Sequence, residues 1–441
     1  LLTLEPTASY WDCPEYISVA TGLQPGHPPG NPMWMIAARF FVNFAPGPEY
    51  RALAVNVMSA VCASLTVMLL FLTIEFFARR LLRPVTRASS LLCLGASLTG
   101  ALAFCWSDSF WFSAVEAEVY AFSSLCTALL FWLSLVWYEH RREPHSDRYL
   151  ILLAYLTGLT IGVHELNLLC LPALLLVVAY GMREELPRWR LDVALLAGLG
   201  AIALALYGVI PGFMALAKRV ELLCVNTLGM PFNSGLLISW TLVSACLVGV
   251  GVWLNGTCWR RRRLLRLLRV GVWSLFMMLL GFSCYALLII RASANPPLDS
   301  GHPADIFSFS SYFARDQYGS APLVYGAPFT AQPMRLRTVE DGDTSYSRYA
   351  VSACEPRYVR GVPGMPHAVS GYFGTREDSM RNAALQARGG DWYQVSSHTF
   401  EKRYPPELHM WFPRMHSHSE GDVTGYFNWL DTDERTMTAP G

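Results

Sequence analysis

Eight apolar runs follow one another through the first two thirds of this chain, and they constrain it more than any single motif. They cover Ala52–Phe77, Ser89–Trp106, Ala117–Tyr138, Tyr149–Val163, Leu168–Tyr180, Leu191–Ile210, Gly235–Leu254 and Val270–Ile290. Runs of roughly 18 or more such residues match the thickness of a bilayer's hydrocarbon core. Composition agrees. The 441 residues are 53% hydrophobic and 15% charged, where a soluble domain carries about 25% charged residues. An ordinary soluble enzyme is thereby excluded. A net charge of +1 offers no nucleic-acid surface. The eleven cysteines include no Cys-x-x-Cys pair, so neither a zinc site nor a disulfide framework is signalled.

Two of the runs are short for a full crossing, and only His164-Glu165-Leu166-Asn167 separates them. One uninterrupted helix through both would be about 48 Å long, too long for a core of about 30 Å. The basic residues decide how the chain copes. Arg79, Arg80, Arg83 and Arg87 follow the first run. Arg141, Arg142 and Arg148 follow the third, Arg183, Arg188 and Arg190 the fifth, and Arg260 to Arg263 with Arg266 and Arg269 the seventh. The intervening loops hold Arg39, Lys218 and Arg219. Lys and Arg gather on the cytoplasmic side of membrane proteins. The alternation holds only if the chain reverses at His164–Asn167, which predicts a helix break there. Residues 11–50, 107–116, 164–167, 211–233 and everything after Arg291 then share the opposite side.

That opposite side collects ionisable groups from several separate loops. Charges at a membrane boundary are costly unless paired or wetted, so such a cluster is a site hypothesis. Asp12 and Glu15 lie three residues apart, on one face if helical; the same spacing is a capping box, with Pro14 tolerated in a first turn. Ser113-x-x-Glu116 is a second capping-box pattern. Glu118 opens an apolar helix, either as a chemical group or as a first-turn acid favoured by the helix dipole. His27 sits in the stiff segment Gly26-His27-Pro28-Pro29-Gly30. His164 and Asn167 either cap the broken helix pair or meet a ligand. Lys218 and Arg219 either anchor at the interface or bind substrate. Gly158-x-x-x-Gly162 reads as close helix packing.

Several blocks together resemble the DUF2723 family of membrane proteins: Tyr10-Trp11-Asp12-Cys13-Pro14-Glu15, Gly26-His27-Pro28-Pro29-Gly30-Asn31-Pro32, the stretch from Ser107 to Ala121, the stretch from Gly158 to Leu169, and Ala294-Asn295-Pro296-Pro297. They spread over residues 1–325, and beyond them the resemblance thins to pieces such as Trp411-Phe412-Pro413-Arg414-Met415. The resemblance implies a GT-C-like transmembrane helix bundle in an all-α polytopic membrane protein. It implies a glycosyltransferase, related to protein O-mannosyltransferases, that moves mannose or another hexose from a polyprenyl-phosphate donor to Ser/Thr hydroxyls of exported proteins. Asp12 then takes the position of the catalytic carboxylate, the base that accepts the hydroxyl proton, with Glu15 beside it as its partner or a sugar contact. Glu116, Glu118, His164 and Asn167 become pocket residues, and His27, Arg219 and Arg291 become candidate phosphate or substrate contacts. No cofactor is assigned; a divalent metal ion stays open, two carboxylates being too few donors to call one. Two departures stand out: Pro14 replaces the Gly usual between the acids, and Glu165 is unusual after the His.

The reading divides the chain into a transmembrane domain, residues 1–290, and a partly ordered extracytoplasmic region of mixed short elements, residues 291–441. It places the protein in a bacterial inner membrane with its active face outside the cytoplasm, among membrane lipids. It expects truncation at both ends, with Leu1–Leu4 the remnant of a first membrane helix. The rival readings are a lipid-linked sugar flippase or transporter and a non-catalytic envelope scaffold.

Overall fold

The structure is a computed structural model that describes residues 2–82, 86–182, 187–231, 233–256, 263–318, 324–328, 331, 336–340, 343–347, 349–355, 397–402, 404–413, 424–425 and 428. The arginines at 83, 183 and 260–262, and most of the expected tail elements, lie outside the described residues. Among those described, seven helices are long and apolar enough to cross a membrane: Pro48–Leu81, Arg87–Cys105, Val119–His140, Glu165–Met182, Trp189–Val225, Ser234–Leu254 and Leu265–Ala292. The protein is an all-α polytopic membrane protein.

In chain order the helices are α1 (Cys13–Gly22), α2 (Pro32–Val42), α3 (Arg51–Leu81), α4 (Arg87–Cys105), α5 (Asp108–Val115), α6 (Val119–His140), α7 (Asp147–Ile161), α8 (Leu171–Met182), α9 (Arg188–Ala203), α10 (Ile210–Leu222), α11 (Ser234–Leu254), α12 (Arg263–Phe282), α13 (Ala286–Ala292) and α14 (Ile306–Phe313). Two compact units emerge: residues 1–221 with 233–315, and residues 222–232 with 316–441. Among the described residues, the second unit contains three short antiparallel pairs. Tyr325–Gly326 pairs with Met410–Trp411, Leu336–Glu340 with Asp343–Ser347, and Tyr349–Glu355 with Ser397–Lys402.

The break expected at His164 is present. Helix α7 ends at Ile161, His164 is extended (φ −162°, ψ 132°), and a 3-10 turn from Glu165 to Cys170 leads into α8. The chain reverses there. The Tyr149 ring, near the start of α7, lies 5.8 Å from His140 at the far end of α6, so α7 runs antiparallel to α6. After the break, Asn167 bonds the early α6 residues Ser123 and Thr127, while Gly181 lies against Trp137 and Arg141, so α8 runs parallel to α6. Leu153 and Leu174, on either side of the break, join Leu130 in one buried cluster; a straight helix would hold them about 32 Å apart.

Asn167 makes the reversal possible. Backbone groups freed by a break inside a membrane protein need partners. The buried Asn167 amide donates to the Thr160 carbonyl at 3.0 Å, and its oxygen accepts from Ser123 Oγ at 2.9 Å and Thr127 Oγ1 at 3.0 Å. His164 Nδ1 accepts from the Leu166 N–H at 3.2 Å. The capping reading therefore holds for both residues. The glycine reading holds too: a Cβ on Gly158 would run into the Met278 carbonyl of α12, and one on Gly162 would lie 2.6 Å from Cys284 Sγ. Small residues let α7 and α12 approach closely.

The two ends of the first unit differ in charge. At one end Arg80 pairs with Glu139, Arg79 with Glu75 at 2.5 Å, and Asp147 binds Arg266 at 2.7 Å and Arg269 at 2.8 Å. The other end gathers residues 5–34, the α5–α6 connection, the break, α13 and α14. Met33 N–H donates to the Gly162 carbonyl at 2.8 Å. The Tyr285 hydroxyl lies 3.1 Å from both the Gly30 and Ile161 carbonyls.

Two expectations need correction. Residues 11–50, read as a loop, contain α1 and α2, too short to cross but amply apolar. Residues 211–233, also read as a loop, stay helical to Leu222 in α10. A π turn at Leu204–Val209 precedes it and leaves room for Pro211, which lacks an N–H to donate.

If Asn167 carries the reversal, Asn167→Ala should destabilise the protein by about 2–4 kcal/mol, three hydrogen bonds being worth about 0.6–1.5 kcal/mol each. Denaturant titration of the purified protein in detergent measures this; a midpoint equal to the parent's would refute it.

Candidate functional site

Helices α1 and α2 both start without a side-chain cap. Asp12 occupies the N-cap position of α1 but makes no side-chain cap, and Glu15, three residues on, turns away as well. Neither acid does the capping its spacing allowed. Glu15 reaches instead to His27. Its Oε1 accepts from the His27 backbone N–H at 2.6 Å, and its Oε2 accepts from His27 Nδ1–H at 3.2 Å. Gly26 makes room: a Cβ there would stand 3.0 Å from Glu15 Oε1. His27 Nε2 lies 4.0 Å from Asp12 Oδ2. The bond to Glu15 raises the His27 pKa above its ordinary value, against the opposing effect of burial. The same bond lowers Glu15 below the usual carboxylate range. The imidazolium–carboxylate pair is the favoured state.

Ligand atoms of Asp12, Glu15 and His27 lie within 4.8 Å of one another, a spacing that a divalent cation could bridge. The His27–Glu15 hydrogen bonds draw on the same donors.

The second acidic element is the α5–α6 connection. Glu116 is extended at the end of α5, and Ser9 Oγ–H donates to its Oε2. Ser113 donates back to the Ser109 carbonyl at 2.9 Å within α5. The expected Ser113–Glu116 capping box is therefore not formed: Glu116 lies beyond the end of that helix rather than in the first turn of the next. Glu118 precedes α6 and is 8% exposed. Burial, first, and the negative field of Asp12, next, push its carboxyl up to about 7. The N-terminal segment fixes this connection from outside. Glu5 N–H donates to the Val115 carbonyl at 3.1 Å, and the buried amide of Asn56 in α3 donates to the Glu5 and Thr7 carbonyls at 2.6 and 3.0 Å.

Residues that the sequence reading passed over hold these two elements together. Trp34 is wholly buried; it donates Nε1–H to the Glu118 carbonyl at 3.1 Å and packs on Tyr16 at 4.8 Å between ring centroids. The Tyr16 ring also meets His27 at 5.6 Å, and its hydroxyl accepts from Asn31 at 3.2 Å. The three-to-four-residue spacing of buried positions in α1 (Cys13, Tyr16, Val19, Ala20) and α2 (Trp34, Met35, Ala38, Val42) could have marked Tyr16 and Trp34 as inward-facing; only tertiary packing shows what they join.

The third element is the break. His164 faces Tyr120 at 5.8 Å between rings. Burial lowers its pKa below the ordinary value, and the nearby Arg315 adds to that. With Nδ1 accepting from Leu166, the neutral ring carries its proton on Nε2.

The proposed basic contacts fall differently. Arg291 Nε and Nη2 donate to the Leu23 and Gly22 carbonyls at 2.6 and 3.0 Å, closing the end of α1. Arg219 is exposed in the last turn of α10. Beside it, wholly buried Glu221 accepts from the backbone N–H groups of Asn233, Gly235 and Leu236, anchoring the start of α11. The basic group whose field reaches both His27 and His164 is Arg315, which had no distinguishing sequence signal.

Residues 12–187 match the family of the protein O-mannosyl-transferase TMEM260 N-terminal domain. A protein O-mannosyl-transferase tmem260 of Dictyostelium discoideum is 24% identical over 204 residues, which cover 44% of this chain and 23% of that relative. The match thus spans less than a quarter of the relative's length. No solved structure matches the chain.

Glu118 supplies a test of this geometry. Its proton is retained in the folded state up to about pH 7, whereas the unfolded chain loses it near 4.5. Its contribution to stability therefore falls as pH rises from about 4.5 through 7, by something on the order of 2 kcal/mol. Melting curves from pH 5 to pH 8 should decline less for Glu118→Gln than for the parent. Parallel curves would show that Glu118 is not desolvated.

Proposed function

We propose that this chain, O-mannosyltransferase-like over residues 12–187, is the membrane-embedded part of a glycosyltransferase. It moves mannose or another hexose from a polyprenyl-phosphate donor to Ser/Thr hydroxyls of exported proteins. The observation that carries this reading is the meeting of Asp12, Glu15, His27 and Glu118 at one end of the helix bundle, with paired arginines at the other.

A lipid-linked donor enters sideways, its phosphate at the interface and its sugar toward the acids. In an inverting transfer the acceptor hydroxyl oxygen bonds to the sugar's anomeric carbon while the bond from that carbon to the phosphate oxygen breaks. The hydroxyl proton passes to a carboxylate, and polyprenyl phosphate leaves with the bonding electrons. Asp12 is that base. Its side chain is 59% exposed, open to an incoming hydroxyl, while His27 stands between it and Glu15. Glu15 holds His27 charged and in place. Glu118, buried and half-protonated near neutrality, donates to or accepts from sugar hydroxyls. The paired-arginine end faces the cytoplasm and the acid end faces outward, in a bacterial inner membrane. The bundle is GT-C-like in this reading, with residues 291–441 outside the cytoplasm.

Removing the base should be severe. General-base catalysis contributes about 10²–10⁴-fold, so Asp12→Asn in the full-length protein should lower sugar transfer from a polyprenyl-phosphate donor at least a hundredfold, with the fold retained. Parental turnover by that variant would exclude Asp12 as the base.

A further inference from the structure

The corner between α4 and α5 presents side chains that the acid site does not use. Ser107 makes the corner, its backbone N–H at 3.1 Å and its hydroxyl at 2.8 Å both donating to the Phe104 carbonyl. Phe110 then points inward, its ring 4.3 Å from that of Phe104, and docks α5 on the buried cluster built from α1, α2, α3 and α6. The other face of α5 has no such cover. Asp108, Trp111, Phe112 and Val115 recur at helical spacing, and with Trp106 at the end of α4 they line an open cleft of about 510 Å³. Trp106, Trp111 and Phe112 are exposed. So is Asp108, and among the described residues nothing pairs with its carboxylate. The cleft adjoins the acid site through its last residue: the Val115 carbonyl accepts the Glu5 N–H at 3.1 Å, Ser9 holds the neighbouring Glu116, and Glu118 follows.

We propose that this cleft receives a basic side chain of the acceptor polypeptide, arginine above all. This rests on the transferase reading above and names a class of acceptor for it: chains that carry Arg or Lys a few residues from the modified Ser or Thr. Charge complementarity selects the occupant. Aromatic faces attract cations. A guanidinium stacks on them while its fork of N–H donors meets a carboxylate, and its methylene stem lies along apolar walls such as Val115. Rings that only anchor a protein at the interface need neither a concavity nor an acid among them. A phospholipid headgroup fits less well, because its ammonium brings a phosphate with it and no lining residue is basic. A hydrocarbon chain would bury Asp108 without a partner, which is costly. The reach is also suitable. The eight residues of α5 rise about 12 Å. The extended backbone from Glu116 to Glu118 adds about 7 Å, and about six residues of extended polypeptide cover the sum.

The test uses the full chain in nanodiscs of phosphatidylethanolamine and phosphatidylglycerol. The probes are short fluorescent Ala/Gly peptides with one Thr and, about five residues away, Arg, Gln or Glu. Fluorescence anisotropy reads binding, and mass spectrometry of the same peptides reads sugar transfer from a polyprenyl-phosphate donor. The Arg peptide should bind at least about fivefold more tightly than the Gln peptide, and the Glu peptide most weakly. Asp108→Asn should remove the preference, Asp108→Lys should turn it toward Glu, and Trp106→Leu should reduce it, each with an unchanged melting temperature. Transfer to the Gln peptide should stay at the parental level in Asp108→Asn. Equal affinity of the parent for the Arg and Gln peptides, or binding of neither, overturns the proposal. So does a preference for Arg that survives Asp108→Lys. If Asp108→Asn leaves the preference intact and instead loses phosphatidylethanolamine that stays with the parent in native mass spectrometry, the cleft is a lipid site and the proposal falls. A preference for Arg set by Asp108, with no sugar transferred to any peptide, keeps the basic-side-chain site and removes the transferase reading. Equal binding of all three peptides with sugar transferred to each does the reverse.

Discussion

The organisation of this protein depends on one chain reversal inside the membrane-embedded region, and that reversal depends on the buried side chain of Asn167. Hydrocarbon provides no water to solvate a broken helix, so freed carbonyls and N–H groups must find partners within the protein. Asn167 offers an acceptor and a donor at the same point, and three partners on two helices meet them: Ser123 and Thr127 of α6, and Thr160 at the end of α7. Without the reversal, α8 and everything after it would enter the membrane from the other side. The segments that follow it, α13 and α14, would then be carried away from Asp12 and His27.

The acids of this end obey a common physical rule. A carboxylate near a membrane boundary must be wetted, paired or protonated. Asp12 stays wetted, Glu15 is paired to His27, Glu116 takes a hydroxyl from Ser9, and Glu118, denied all but a local N–H, holds a proton up to about pH 7. Four carboxyl groups near one another thus sit in four different surroundings, and the Glu15 and Glu118 carboxyls shift in opposite directions because of them. The same rule explains why the two capping-box patterns did not mature into caps. Each acid had a tertiary partner or a burial that outweighed the fraction of a kcal/mol to about 2 kcal/mol available from a helix terminus.

Much of this was legible in the sequence because it follows from one-dimensional quantities. Apolar length and the alternation of arginines located the spans and required a turn at His164–Asn167; Gly158 and Gly162 announced close packing. What the sequence withheld depends on distances between remote segments. Helices α1 and α2 are about 15 Å long, so no span-length criterion flags them, although Pro32 to Val42 is almost wholly apolar. Lys218 and Arg219 read as loop residues because Pro211 interrupts the pattern; a π turn absorbs the proline and the helix continues. Arg291 and Arg315 are alike as letters. Only the fold shows that the first is consumed by backbone carbonyls and the second stands next to a carboxylate.

Residues 291–315 carry α13's end and α14 into the same compact unit as the acid cluster. Asp305 opens α14 by accepting from the N–H groups of Phe307 and Ser308, with Ser308 returning a bond to its backbone. The inward face of that short helix, Ile306, Phe307, Phe309 and Tyr312, is buried, and Phe309 stacks near Tyr285, the same tyrosine that bridges Gly30 and Ile161. The aromatic packing therefore fixes α14 to the two segments that present His27 and His164.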